Sequence, residues 1–220
     1  MKSLLLAIIY KILLPLPLRF LGIKIYGQQN LKIQEQFIIV ANHNSHLDTM
    51  ALMSSLPFHQ LTKTHPVATA QYFGRKKWLV WLSNLFVNTV LIQRKEDVKI
   101  DPEAALQIDS SKALTLLENK LANGHSLILF PEGTRGEPEK LQDFRKGIGV
   151  LLQRFPDIHY IPVFINGTGK ILPKGALLPV PFEASVRIGK PQLKSSNVVE
   201  EIVSEVRNSI LLIELMNNYK

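Results

Sequence analysis

Two short polar stretches carry the residue types from which acid–base chemistry is built. The first is Asn42-His43-Asn44-Ser45-His46-Leu47-Asp48. A histidine and a carboxylate five residues apart, across a turn, can fold back on each other. The carboxylate then accepts the imidazole Nδ1–H, which fixes the tautomer and leaves Nε2 free as a base for an attacking hydroxyl. Two other uses fit the same residues. One is a helix cap, with Asn44 or Ser45 closing the helix start and the histidines incidental. The other is a zinc site built from His43, His46 and Asp48. The second stretch is Phe130-Pro131-Glu132-Gly133-Thr134-Arg135. An arginine and the backbone N–H groups of a glycine-containing turn suit a phosphate, and Glu132 can accept from hydroxyls or orient Arg135. A tight turn with a surface Glu–Arg pair of little energetic weight is the alternative.

Both stretches follow apolar runs that read as strands buried on both faces, 36–41 and 126–130. In open α/β sheets, ligands collect beyond the carboxyl ends of strands, so the two loops are candidates for one shared site. The remaining pattern supports such a sheet. Helices are predicted over about 47–56, 75–86 and 147–154, and strands over 66–69, 89–93, 158–165 and 184–188. Asp101-Pro102 has the form of a helix start and Asn123-Gly124 of a helix stop. Asn197 with Glu200 resembles a capping box for a last helix reaching about 216. Strands and helices alternate without repeats or a linker. The expectation is a single α/β domain, 26–220, with a mainly parallel mixed sheet flanked by helices, preceded by a membrane-interface segment, 1–25.

The charge distribution points to the partner. The 220 residues carry a net charge of +8. Residues 1–95 hold 11 Lys/Arg against two acids, Glu35 and Asp48, for a net +9, whereas 96–220 hold 15 against 16, for a net −1. Basic charge beside long apolar runs suits an anionic membrane surface, at about 1 kcal/mol per well-placed cation. Nucleic acid is disfavoured, because Arg75, Lys76 and Lys77 abut an apolar run rather than alternating with aromatics on a polar face. The stretch 3–23 is apolar but interrupted by Lys11, Pro15, Pro17 and Arg19. The prolines predict an end or kink near Leu14. A short helix lying in the interface is expected, with Lys11 and Arg19 reaching toward headgroups; a helix packed on the domain's own core is the alternative. No cleavage signal follows it.

Several chemistries are excluded. With no cysteine, the chain has no disulfide scaffold, thiol nucleophile or iron–sulfur cluster. It has no Gly-x-Ser-x-Gly elbow, Walker A loop or dinucleotide fingerprint. Gly167-Thr168-Gly169-Lys170 is too short for a phosphate loop and reads as a turn.

Taken together, the two stretches resemble motifs of the glycerolipid acyltransferase family, which includes bacterial lysophosphatidic acid acyltransferases. The family pattern Asn-His-x-Ser-x-x-Asp is matched at 42–48 and Phe-Pro-Glu-Gly-Thr-Arg at 130–135. The family's second block is similar to Asn88-Thr89-Val90-Leu91-Ile92-Gln93-Arg94, with Asn88 where glycine is usual. Ile161-Pro162-Val163 and Lys146-Gly147 look like later blocks, so the likeness covers about 20–190. The resemblance implies that His43 is the general base and Asp48 its orienting partner. Glu132, Gly133, Thr134 and Arg135, with Arg94 and Lys146, would hold the acceptor's glycerol phosphate, and Pro162 would lie toward the acyl donor. It further implies an acyl-CoA or acyl-carrier-protein donor, no metal or other cofactor, and a lysophospholipid acceptor, 1-acylglycerol 3-phosphate first, at the cytoplasmic face of the membrane as a peripheral or monotopic protein. Another lyso-lipid acceptor, or hydrolysis of an acyl thioester, is the alternative.

Overall fold

Continuous apolar runs become strands here because both faces of the sheet are covered. The computed structural model describes residues 2–69, 88–92, 110–135, 140–173, 176 and 178–218. The expected helix at 75–86, the helix start at Asp101-Pro102, and Arg94 lie outside them. Among the described residues, seven strands form one sheet: β1 (Ile23–Tyr26), β2 (Phe37–Ala41), β3 (Thr64–Thr69), β4 (Val90–Ile92), β5 (Ser126–Leu129), β6 (His159–Asn166) and β7 (Ala184–Ile188). Their spatial order is β1-β7-β6-β2-β5-β3-β4. Every pairing is parallel except β6 with β7. This is the mixed, mainly parallel α/β sheet the alternation predicted. Strand β1 and the antiparallel turn of β7 were not legible in the pattern.

In β2 all five residues are buried. Phe37, Ile39 and Ala41 join a core on one face, and Ile38 and Val40 a second core on the other. The first core is roofed by α3 (His46–Ser55) and the N-terminal helix; the second by α4 (Ser110–Ala122), α5 (Gly147–Arg154) and α7 (Val199–Asn218). Helix α4 stops as predicted at Asn123-Gly124. There the N–H of Gly124 donates to Leu121 O and that of His125 to Lys120 O, with Gly124 at φ +75°. The start of α7 differs from expectation. The Asn197 side chain accepts from Lys194 Nζ, and Ser196 Oγ takes the Val198 N–H instead.

The N-terminal helix runs through its prolines. It comprises α1 (Lys2–Ala7), a π-helical stretch (Ile8–Leu13) and α2 (Pro15–Phe20). The Leu14 N–H reaches back five residues to Ile9 O, so the widened turn sits immediately before Pro15. A π-turn accommodates the proline ring, which would otherwise clash with a carbonyl one turn earlier. Leu6, Tyr10 and Leu18 pack into the first core. Leu4, Ile12, Leu13, Leu16 and Phe20 stay exposed. Lys11 does not reach outward: its Nζ donates to the carbonyls of Ser54 and Leu56, at the end of α3. A division at residue 25 falls inside β1, which is paired with β7, so the segment is structurally continuous with the sheet.

Candidate active site

Strands β2 and β5 are adjacent and parallel, with Ile38 opposite Leu127 and Val40 opposite Leu129. The loops that follow therefore emerge side by side at one sheet edge, although nearly ninety residues separate them in sequence. The sequence explains each loop locally. Asn42 leaves β2 with its amide donating to Ile165 O at 2.8 Å and accepting the Ile165 N–H at 2.7 Å. Asn44 donates to the same carbonyl at 2.8 Å. Both amides thus lash the loop to the end of β6. Ser45, in extended conformation, is the N-cap of α3 and closes a capping box with Asp48.

Asp48 is fully buried. Its Oδ2 accepts from the backbone N–H of Asn44 (2.7 Å), the backbone N–H of Ser45 (2.8 Å) and His43 Nδ1 (2.9 Å). Its Oδ1 accepts from the Thr168 hydroxyl at 2.6 Å. The cap and the histidine–carboxylate pair are therefore one structure: the oxygen that closes the capping box also holds the imidazole. With Nδ1 committed, Nε2 is the nitrogen available for proton transfer. The His43 ring stacks on Phe130, 4.1 Å between centroids and 21° between planes. The residue immediately after β5 thus orients the imidazole supplied by the loop after β2. Among the described residues no three His, Asp or Glu side chains converge as metal ligands.

The second loop turns at Gly133, at φ +79°, whose N–H donates to Phe130 O. The Arg145 N–H donates to Pro131 O at 2.9 Å and ties the loop to the start of α5. Glu132 is buried, and its Oε1 has no hydrogen-bond partner. Burial pushes its carboxyl up to about 7; the backbone amides of His43 and Gln142 act against this, and the Asp48 charge adds to it. Arg135 lies close enough to His46 to act on it: partial desolvation, then the Arg135 guanidinium, then His43, lower the His46 pKa. Thr134 is exposed.

Glu132 yields a testable consequence. Its folded pKa is raised above the unfolded value, so the folded protein binds the proton more tightly than the unfolded chain. The resulting stability is full below about pH 4.5 and is lost as pH rises through about 7. Glu132→Gln is expected to remove that pH dependence. Relative to the parent, the variant should gain on the order of 1–3 kcal/mol between pH 5 and 8. Thermal unfolding of both proteins across that range measures it; parallel curves would contradict it.

A cavity of about 650 Å³ opens beside these loops. His43, Gly133 and Arg145 are among its polar lining, and residues such as Phe130, Leu117 and Leu151 among its apolar lining. Not every expected residue reaches it: Asp48, Glu132, Thr134 and Arg135 are not among its lining residues. Lys146 is exposed and pairs with Glu200 at 2.6 Å; among the described lining residues the cation is its neighbour Arg145. Pro162 sits within β6, opposite Val40, its carbonyl accepting from the Gly189 N–H at 2.8 Å, and is not among the lining residues. Asn88, where glycine is usual, has φ +57°, a left-handed conformation that asparagine tolerates better than most residues. Its side chain also bridges Lys2 to the carbonyls of Thr62 and Thr64.

The pattern of the acyltransferase family matches residues 22–166. A chloroplastic 1-acyl-sn-glycerol-3-phosphate acyltransferase of Arabidopsis thaliana is 30% identical over 159 residues, which is 71% of this chain and 39% of that protein. A 1-acyl-sn-glycerol-3-phosphate acyltransferase of Limnanthes douglasii is 28% identical over 185 residues, 84% of this chain and 59% of the relative. The chain thus spans between about two-fifths and three-fifths of these relatives' length. The crystal structure of the 1-acyl-sn-glycerophosphate acyltransferase PlsC from Thermotoga maritima shares the fold, with a TM-score of 0.65 at 24% identity, over 91% of this chain and 78% of that one.

Proposed function

This chain belongs to the acyltransferase family, and from that premise we propose that it moves a fatty acyl group from a thioester donor to the free hydroxyl of a lysophospholipid, 1-acylglycerol 3-phosphate first. The observation that carries the reading is the His43–Asp48 pair, with His43 lining a largely apolar cavity beside the turn that follows Phe130. His43 Nε2 takes the proton of the acceptor hydroxyl as its oxygen attacks the thioester carbonyl carbon. The carbon–sulfur bond then breaks, and the leaving thiolate takes that proton from the imidazolium. Asp48 stabilises the imidazolium in between. Arg135 and Arg145, with the Gly133 turn, suit the acceptor phosphate, and holding it places the hydroxyl against the base. The cavity suits an acyl chain. The curated relatives are named for the same reaction. The donor is acyl-CoA or acyl-carrier protein, and no cofactor enters these steps.

Purified protein with acyl-CoA should release free thiol only when dispersed 1-acylglycerol 3-phosphate is present. Release without acceptor would assign hydrolysis instead, and no release with any lyso-lipid would end the proposal.

The first helix supports work at a lipid surface. Residues Lys2–Phe20 are long and apolar enough to cross a membrane, but Leu6, Tyr10 and Leu18 are committed to the core. A helix held by the domain along one side lies in the interface, with its outward Leu4, Ile12, Leu13, Leu16 and Phe20 in the acyl region. Exposed Leu178, Val180 and Phe182 add apolar surface next to its end, where the Phe182 N–H donates to Leu21 O. These surfaces support the reading of a monotopic enzyme at a membrane, and the cytoplasmic face is the side we propose. Changing Ile12, Leu16 and Phe20 together to serine is expected to lower binding to anionic vesicles by at least about 10-fold, with thermal stability unchanged. Co-sedimentation measures it, and undiminished binding would remove the helix from this role.

A further inference from the structure

The turn at Gly167-Thr168-Gly169-Lys170 has no part in the reaction as derived so far, yet it touches the centre of the site. Thr168 begins α6 (Thr168–Ile171), just after β6. It is fully buried, and its hydroxyl donates to Asp48 Oδ1 at 2.6 Å. The backbone is shaped for this. Gly167 is at φ +81°, and a side chain there would meet the Glu183 carbonyl oxygen at 2.4 Å, so only glycine lets the chain turn tightly enough to aim Thr168 inward. The same segment is fixed to the first loop elsewhere: the Ser45 hydroxyl donates to Leu172 O at 3.1 Å, and Asn42 and Asn44 both donate to Ile165 O.

We propose that Thr168 is a positioning residue that completes a Thr168–Asp48–His43 relay, setting the carboxylate's orientation and moderating its pull on the imidazole. This rests on the reading of His43 as the base. The donors to Oδ2 from the chain itself, Asn44 N–H and Ser45 N–H, come from Asp48's own loop. They fix one oxygen and leave the carboxylate plane to be set by the other. Thr168 supplies that second anchor from 120 residues away in sequence. A short hydroxyl bond to Oδ1 also draws negative charge onto that oxygen. Without it, charge gathers on Oδ2, against the His43 Nδ1–H, and the imidazolium is held more tightly. The other charged or titratable groups facing the pair are His46 on α3, Glu132 and Arg135 on the loop after β5, and Arg145 before α5.

The test uses Thr168→Val, close in shape but without the hydroxyl, and Thr168→Ser, which restores it. The His43 ring titration followed by NMR needs no substrate, so it judges the relay separately from the acyl-transfer reading. In Thr168→Val the titration midpoint should move to higher pH; in Thr168→Ser it should return to the parent's. In the activity assay the acid limb of kcat/KM should move the same way, and kcat should fall about 10- to 100-fold with little change in the acceptor KM. If Thr168→Val folds poorly, Thr168→Ala carries the same prediction. Superimposable His43 titrations in parent and valine or alanine variant would overturn the proposal. So would a fall in kcat with an unmoved acid limb, which would assign Thr168 to packing alone.

Discussion

His43→Ala is expected to lower acyl transfer by about 10²- to 10⁴-fold while the protein stays folded. The loss should be chemical because little of the fold depends on the ring. Its side chain is partly exposed and stacks on Phe130. Removing it leaves Asp48 with the Asn44 and Ser45 amides and the Thr168 hydroxyl, so the buried carboxylate keeps three of its four donors. The loop also keeps its bonds to the end of β6 through Asn42 and Asn44. Initial rates at saturating donor, compared with thermal unfolding of the same preparation, separate the two effects. The acceptor KM should change little, since the phosphate is gripped elsewhere. Turnover equal to the parent's would remove the base from His43.

The sheet and the meeting of the two loops were legible because the evidence for them is local. Runs such as 37–41 and 127–130 are apolar at every position, which a strand with one wet face does not show. Each run ends in residues that cannot continue a strand, and strand ends on one edge bring their loops together. What stayed hidden depends on distant partners. A lysine in an apolar helix can snorkel to headgroups or cap a neighbouring helix; Lys11 does the latter because the end of α3 lies beside it. Composition does not encode that proximity. Lys146 and Arg145 are adjacent cations at a helix start, and the direction of the first turn sends one to Glu200 and the other to the cavity. Thr168 had no signal at all, since its partner is 120 residues earlier and its own neighbours read as a plain turn. Short β1 was masked by the apolar helix before it, and the antiparallel direction of β7, which its connection to β6 permits, is not encoded in its own residues.

Substitutions at Asp48 should separate charge from shape. Asp48→Asn keeps the shape and loses the charge. Its carboxamide can sit in only one orientation. The Asn44 and Ser45 N–H groups require an oxygen at the Oδ2 position, so the amide nitrogen must face Thr168. The threonine hydroxyl can rotate to accept from that nitrogen. The Asn44 and Ser45 N–H groups and the His43 Nδ1–H then still have an oxygen to donate to, so the tautomer is preserved. The variant should therefore fold within about 1–2 kcal/mol of the parent yet lose about 10²-fold or more in kcat, because nothing balances the imidazolium as the hydroxyl proton arrives. Asp48→Ala removes shape as well. Two buried backbone N–H groups and the Thr168 hydroxyl lose their acceptor, at about 1–3 kcal/mol for each group left unpaired, and the imidazole is no longer held. That variant should unfold markedly earlier and show turnover at least as low as Asp48→Asn. Thermal unfolding ranks the stabilities and single-turnover rates rank the chemistry. If Asp48→Asn turns over like the parent, the negative charge has no part in catalysis. In that event Asp48 is only the cap of α3, and the capping box alone accounts for a carboxylate at that position.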